Sequence, residues 1–472
     1  MADRRLARLQ PRQAVLAAAK DPPDSMFVMK VAMAALSDPR YRRAGAGKIF
    51  VEHLLTGRST GDRPHWEYPV MGVINVLASI LQHNTEAQDT AIRHAIYPFR
   101  SRIVDVLLRD FHYLTPAGEF GDSRRCMVSK MLLMFMRDPE TKRQMYEDKT
   151  LRLLAHCWLE TTPDFRLRKS ATSAILELTY RKDCFETTPP PDYLEKLFNA
   201  VKIPNFVSRI NFTLKNKNLL GAALDREIGV LRNLTQIWLP FGPKLKEASV
   251  PKQVTAAVRR MPKNDLYSDE TEVLAETEIF IQNIILQAPN TMDTIVDLLK
   301  NTFLIEIAAE AFKMANRSPK AGVLDQAGSF YKFFDNLEHA LVCKKRETCK
   351  FYVTPEYLDA ARTSIERIAI PTLISLQEEV GAEGKYLKLW TNLCRLLGIS
   401  DASIRERYRL DKKCCNLGCP FRNSGTRSAK KRTCIVCKSV FYCDEGCQKS
   451  DWKKHKPECS KLAGALGTGL NS

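Results

Sequence analysis

Nowhere in the 472 residues does an apolar run reach the roughly 18 positions that a membrane-spanning helix requires. The opening, MADRRLARLQPRQAVLAAAK, holds basic residues without a continuous apolar core or a clear cleavage site, so neither a membrane anchor nor a signal peptide is expected. Convincing strand alternation is also missing before residue 411, which leaves helices as the material of the body. Cysteine is sparse over most of the chain: Cys126, Cys157, Cys184, Cys343, Cys349 and Cys394 are the only six before residue 414. Eight more crowd between Cys414 and Cys459. That distribution argues against a disulfide framework and for metal ligation in a reducing compartment, nucleus or cytoplasm.

Common catalytic signatures are absent too. No HExxH, GxSxG or GxGxxG occurs. RAGAGKIF fails as a phosphate loop, because Arg42 stands where the first glycine belongs and Ile49 follows Lys48 where a hydroxyl must reach magnesium. His53, His65, His83, His94, His112, His156 and His339 sit in helical pattern or turns with no paired nucleophile in view. No enzyme is read from this chain.

What is there is a folded composition, 44% hydrophobic and 27% charged, with a formal charge of +18 that raises nucleic acid or an acidic partner as candidates. Helical periodicity then repeats along the chain. Val70, Val73, Ile74, Leu77 and Leu81 form one stripe, and Ala171, Ala174, Ile175 and Leu178 another. Ile228, Leu231, Leu234, Thr235 and Trp238 form a third, stopped by Pro240, and Cys126–Asp138 is apolar almost all round. Further helices are expected in EVLAETEIFIQNIILQ, TMDTIVDLLKNTFLIEIAAEAFKMA, LDQAGSFYKFFDNLEHALV and KYLKLWTNLCRLLG. Breakers separate them at Pro163, Glu186–Asp192, Pro240/Pro243, Pro289, Pro319 and Gly381–Gly384. Stacked helical hairpins over residues 1–410 are the reading.

The cysteine-rich segment has metal spacings: Cys434-x2-Cys437, Cys443-x3-Cys447 and His455-x3-Cys459, with Cys419 preceded by Cys414 or Cys415. Four ligand pairs suffice for two tetrahedral zinc ions, and soft thiolates argue against calcium or magnesium. A segment of that size with few large apolar side chains folds only with such staples. Eight ligands for two metals leave no open position for catalysis. From residue 411 on, 13 Lys+Arg face 5 Asp+Glu, a formal +8; two zinc ions and seven thiolates bring it to about +5.

The order CxxC, Phe441-Tyr442-Cys443, CxxxC-Gln448, Asp451-Trp452 and HxxxC resembles a MYND-type zinc finger over about a tenth of the chain. By that resemblance Cys414 (or Cys415), Cys419, Cys443 and Cys447 hold one zinc, and Cys434, Cys437, His455 and Cys459 the other. The first pair departs from the usual CxxC; a Cys-x-Asn start puts Asn416 in step and favours Cys414. The resemblance also implies a protein-interaction module in which Gln448 and Trp452 receive a proline-containing peptide, Trp452 serving equally to cap the small core. The insert between Cys419 and Cys434 is longer than usual and holds the basic run AKKRT, read as a solvated loop. SET-domain methyltransferases also carry such fingers, but only 13 residues follow Cys459 and no Asn-His dipeptide occurs.

VLRNLT around Asn233 and LWTNLCRLLG around Asn392 resemble the end of the third armadillo helix, where asparagines line a groove; ordinary solvent-facing or helix-bonding asparagines are the alternative. The expectation is therefore a mostly α protein: an irregular armadillo- or HEAT-like solenoid over 1–410, a two-zinc MYND finger over 411–461 and a flexible tail over 462–472. Its expected work is as an adaptor, the finger holding a proline-containing partner and the body a second protein. A basic, nucleic-acid-associated regulator is the alternative.

Overall fold

The computed structural model describes residues 9–20, 25–59, 63–83, 93–161, 165–179, 192–261, 268–317, 321–343, 354–369, 372–373, 376, 384–410, 414–417, 419 and 432–467. Pro163, Pro319, Gly381, residues 186–191 of the proline run and 429–431 of the AKKRT run lie outside them. The chain is mostly α-helical, and its one described sheet has two short strands. Two compact units divide it: Met1–Arg260 with Ile279–Gln287, and Met261–Glu278 with Ala288–Ser472. No described helix is long and apolar enough to cross a membrane.

The first unit is a succession of packed helices. Ser25–Ser37 packs on Glu67–His83, which packs on Glu119–Met136; that helix meets Phe165–Thr179, which in turn meets Gly221–Ile237. Each buries the stripe its sequence announces. Val70 and Val73 are fully buried and Ile74 and Leu77 nearly so, while the side chain of Leu81 lies outside the description. At about 1.5–3 kcal/mol for each such side chain, this burial rather than helix propensity holds the stack. Polar bonds fix the register. The Asn75 amide donates to Ala32 O at 3.1 Å, and Asn283 donates to Arg232 O and Thr235 Oγ1 at 3.3 and 3.2 Å.

Between the helices at Phe165 and Gly221 sits a buried ion pair. Arg168 Nε lies 2.7 Å from Glu227 Oε1, Thr172 donates to the same oxygen at 2.7 Å, and the guanidinium lies 4.5 Å from the Trp158 ring centroid. Asn233 belongs to this interior as well. It is 3% exposed and donates to Thr179 Oγ1 at 3.3 Å. Asn392 is half-buried and donates to Glu338 at 3.4 Å in the second unit. Both amides are engaged by neighbouring helices, and Asn233 is too deeply buried to line a groove.

In the second unit Thr291–Asn301 packs on Pro355–Glu366, and Ala321–Val342 on Leu304–Arg317 and Lys385–Leu396. An aromatic cluster closes this core: Phe312 stacks on Tyr386 at 4.8 Å, and Phe334 meets Trp390 edge-on at 5.6 Å. The indole N–H of Trp390 donates to Ala369 O. Gly398 (φ +67°) ends the Lys385 helix, with Ile399 N returning to Cys394 O at 2.7 Å, a cap that favours glycine. Two residues later the next helix, Asp401–Leu410, opens on a reciprocal cap: Ser403 N donates to Ser400 Oγ and Ser400 N to Ser403 Oγ.

Candidate metal centre

The segment after Leu410 is built by turns rather than by an apolar core. Strands β1 (Arg432–Thr433) and β2 (Phe441–Tyr442) pair antiparallel, with Thr433 opposite Phe441. Between them Cys434 and Cys437 sit on a knuckle closed by Lys438 N to Cys434 O and Cys434 N to Val440 O, each 2.9 Å, and Lys438 takes φ +52° to make the turn. Cys414 bridges to Phe441, and Cys415 N donates to Phe441 O at 2.8 Å. The helix Glu445–Gly467 is capped by Asp444, whose Oδ1 accepts from Cys447 N at 2.7 Å. That helix runs on through residues 462–467.

Two clusters of soft donors result. Cys434, Cys437, His455 and Cys459 bring one ligand atom each within 4.8 Å of one another, all buried. Cys414, Cys419 and Cys443 form the second, with Cys447 interacting with Cys419 and Cys414 and with the Asn416 side chain. The separations are informative. Cys434 Sγ to Cys459 Sγ is 3.7 Å, Cys437 Sγ to His455 Nε2 is 3.6 Å, and Cys419 Sγ to Cys443 Sγ is 3.5 Å. A disulfide needs about 2.05 Å. A tetrahedron with Zn–S about 2.3 Å and Zn–N about 2.0 Å places neighbouring ligands about 3.5–3.8 Å apart, so the donor sets fit zinc in type, number and spacing. Burial, with a neighbouring thiol adding to it, holds Cys443 and Cys459 up at about 11, and a bound divalent cation reverses that balance by stabilising the thiolates.

The pairs interleave along the chain, first-second-first-second, so each metal staples segments that the other also spans. Cys414, not Cys415, joins Cys419 and Cys443; Cys415 is buried and lies near Tyr442 and Arg409. Replacing Cys415 with Ser is therefore expected to keep two zinc ions per chain by metal analysis, whereas Cys414→Ser keeps one.

Residues 414–459 match the family model of the MYND finger. The chain carries a MYND finger. Over 41 residues it is 44% identical to "SET domain and MYND-type zinc finger protein 6" of Schizosaccharomyces pombe, covering 9% of this chain and 8% of that protein. Over 38 residues it is 53% identical to "N-lysine methyltransferase SMYD2" of Mus musculus, 8% of each. The chain thus spans less than a tenth of these relatives' length, and the likeness is one of fingers.

The MYND finger exposes an apolar face at its second metal site. Trp452 is 41% exposed and packs edge-on against His455, with ring centroids 5.9 Å apart. Part of the indole thus covers a ligand and part faces solvent, so capping and recognition are compatible. Gln448, one turn earlier, is half-buried. Ile435 and Val436, on the knuckle that carries Cys434 and Cys437, are 84% and 56% exposed.

A feature that the sequence does not disclose anchors the MYND finger. Arg405, outside the family match, grips Asp451 through Nη1 at 2.5 Å and Nη2 at 3.0 Å, and reaches Glu458 at 3.2 Å. Tyr442 donates to Asp451 Oδ2 at 2.9 Å. Arg405 and Asp451 are 6% and 2% exposed, so the helix Asp401–Leu410 is bound to the MYND finger by a buried bidentate pair. One arginine of the three in the helix Asp401–Leu410 carries no sequence signal of such a partner.

Two other places held chemical residues. His65 does have a hydroxyl neighbour: Ser59 Oγ is 2.9 Å from its Nδ1, and Asp110 Oδ2 lies 2.5 Å from that hydroxyl and 3.5 Å from Nδ1. The wiring is not that of an activated serine, because serine and aspartate share Nδ1 while Nε2 is engaged by Leu54 O at 3.0 Å. These bonds fasten a loop. Lys48 lies in the helix Ala46–Thr56 with Glu52 at 3.8 Å, in no phosphate loop.

Proposed function

We propose that this protein is an adaptor rather than an enzyme: its MYND finger, with Cys447 completing the first zinc site, captures a proline-containing segment of another protein. The observation that carries this reading is Trp452, held against a metal ligand yet 41% exposed, with Gln448 on the preceding turn. A pre-ordered polyproline-type segment lies against such a flat face at small entropic cost, and the Gln448 amide serves as donor or acceptor to its backbone. The armadillo- or HEAT-like reading of the helical body belongs to this proposal, as does a second protein held there, in transcriptional regulation or in recruitment of ubiquitin-ligase substrates within nucleus or cytoplasm. The methyltransferase activity in one relative's name does not transfer here, since the likeness spans 38 residues.

Partner capture with the full chain and its Trp452→Ala variant, both carrying two zinc ions, tests the proposal. Proline-containing partners are expected to disappear with the indole. Their persistence would make the finger a scaffold and move the search to the helical body. The basic-regulator alternative is separated by salt: nucleic-acid binding weakens steeply as ionic strength rises, whereas capture on an apolar face does not.

A further inference from the structure

Positive charge is concentrated in one stretch of the first unit. Residues 202–260 carry 11 Lys+Arg against 3 Asp+Glu, a formal +8 of the chain's +18. Of the three acids, Glu227 is buried against Arg168 and Asp225 is half-buried, which leaves Glu247 as the exposed one. Lys202, Lys215, Lys217, Lys244 and Lys252 are all exposed, and among the described residues none of them has an ion-pair partner.

Part of this charge meets at one corner. The helices Ile203–Lys215 and Val250–Arg259 pack on each other and bury Phe206, Ile210 and Leu214 on the first, Val250, Val254 and Val258 on the second. Asn211 on the first helix donates to Ala248 O, just ahead of the second, at 3.0 Å. Arg260 ties their C-terminal ends: its Nη2 donates to Leu214 O at 2.5 Å and reaches Asn216 O at 3.5 Å. The tie sets Arg259 and Arg260 beside Lys215 and Lys217, the two neighbours of Asn216. Lys215, Lys217 and Arg259 are exposed. Desolvation lowers the pKa of Arg260, and no carboxylate charge opposes it. Cations do favour helix C-termini, where the macrodipole places about half a negative charge. Two such ends supply about one negative charge against four cations, so about three stay uncompensated.

We infer that this corner contacts the phosphate backbone of a nucleic-acid duplex through Lys215, Lys217 and Arg259. The composition of the face selects the partner class. Protein–protein interfaces are depleted in lysine and anchored by aromatic residues. Here the large apolar side chain exposed on these two helices is Phe212, 56% exposed, with the Arg209 guanidinium 5.7 Å from its ring centroid. A single strand needs several rings on which to stack its bases, whereas a duplex has stacked them already and offers a dense row of phosphates. Such contacts position a duplex without reading its sequence. The inference is independent of peptide capture, since it uses no residue of the MYND finger.

The test is a fluorescence-anisotropy titration of the full zinc-loaded protein with a labelled DNA duplex of about 20 base pairs, repeated across salt concentrations. Three phosphate contacts predict a log–log salt slope near −3, or about fortyfold weaker binding at 200 mM than at 50 mM salt. Lys215→Gln/Lys217→Gln/Arg259→Gln is expected to flatten that slope and remove most of the binding. Lys217 lies in a turn beyond the helix, so Lys217→Gln alone cannot unfold the pair; it is expected to reduce the slope by about one. Trp452→Ala and Lys453→Gln/Lys456→Gln are expected to leave duplex binding unchanged. Binding and slope untouched by the triple replacement overturn the inference, and loss only with Lys453 and Lys456 moves the contact to the finger. Displacement of the duplex by polyglutamate of equal charge would identify an acidic-protein surface instead. Tighter binding of a single-stranded RNA of the same length would overturn the duplex assignment.

Discussion

Removing zinc with a strong chelator is expected to unfold the MYND finger and to loosen the helix Asp401–Leu410 with it, leaving the remaining helices intact. Each structural zinc supplies roughly 10–16 kcal/mol of apparent binding free energy near neutral pH, far more than this segment's burial alone supplies. Trp452, Ile435 and Val436 all face solvent to a large extent, and the fully buried residues are mainly the ligands, Val440 and Tyr442. Once the metal leaves, Asp451 and Tyr442 lose their places, and Arg405 loses both acids that compensate its burial. Hydrogen exchange read by mass spectrometry is the measurement. Protection is expected to vanish across 401–467 together and to persist in helices such as Glu119–Met136 and Lys385–Leu396. Loss of protection confined to 414–459 would mean that the Arg405 tie contributes nothing, and global loss would mean that the metal holds the whole protein. Cys437→Ser is expected to reproduce the effect at one site.

Truncating Glu227 to alanine is expected to cost the first unit about 3–5 kcal/mol. The reason is asymmetry. With Glu227 gone, Arg168 stays buried at 3% side-chain exposure with no carboxylate, and Thr172 loses its acceptor. Arg209 lies close by, and desolvation already lowers its pKa to about 10, with the Arg168 charge adding to that. Deleting the carboxylate removes one of the three acidic groups that oppose this and leaves Glu160 and Asp122 to do so. The double replacement Arg168→Met/Glu227→Leu is expected to recover most of the loss, since it removes both charges and keeps apolar volume between the helices. Denaturant unfolding of the four proteins of this cycle decides it. A Glu227→Ala loss below about 1 kcal/mol would show the pair to be solvated rather than buried.

Sequence and structure divide the explanation unevenly. The MYND finger was legible because metal ligation imposes identity and spacing at once: eight ligand positions and the order of their pairs are written within 46 residues. Helices with a clean stripe, such as Val70–Leu77 and Ala171–Leu178, were legible because a 3.6-residue period repeats within a few turns. Less visible was the break at Thr302 within TMDTIVDLLKNTFLIEIAAEAFKMA. Neither glycine nor proline marks it; Thr302 adopts an extended conformation, returns its hydroxyl to Leu298 O and accepts from Leu304 N. The choice of Cys414 over Cys415 was likewise settled in space, where the bridge to Phe441 brings Cys414 to Cys419 and Cys443.

By itself, then, the amino-acid sequence determined what the protein can bind as metal and where its most clearly striped helices lie, because periodicity and ligand spacing are written within a few residues. Only the tertiary structure decided which polar groups meet across long stretches of chain. Arg405 with Asp451, Arg168 with Glu227 and Asn233 with Thr179 join residues 46, 59 and 54 positions apart. Such pairs leave no pattern in a linear sequence. Each becomes fixed only when packed helices exclude water around it, and burial then makes an unmatched partner costly.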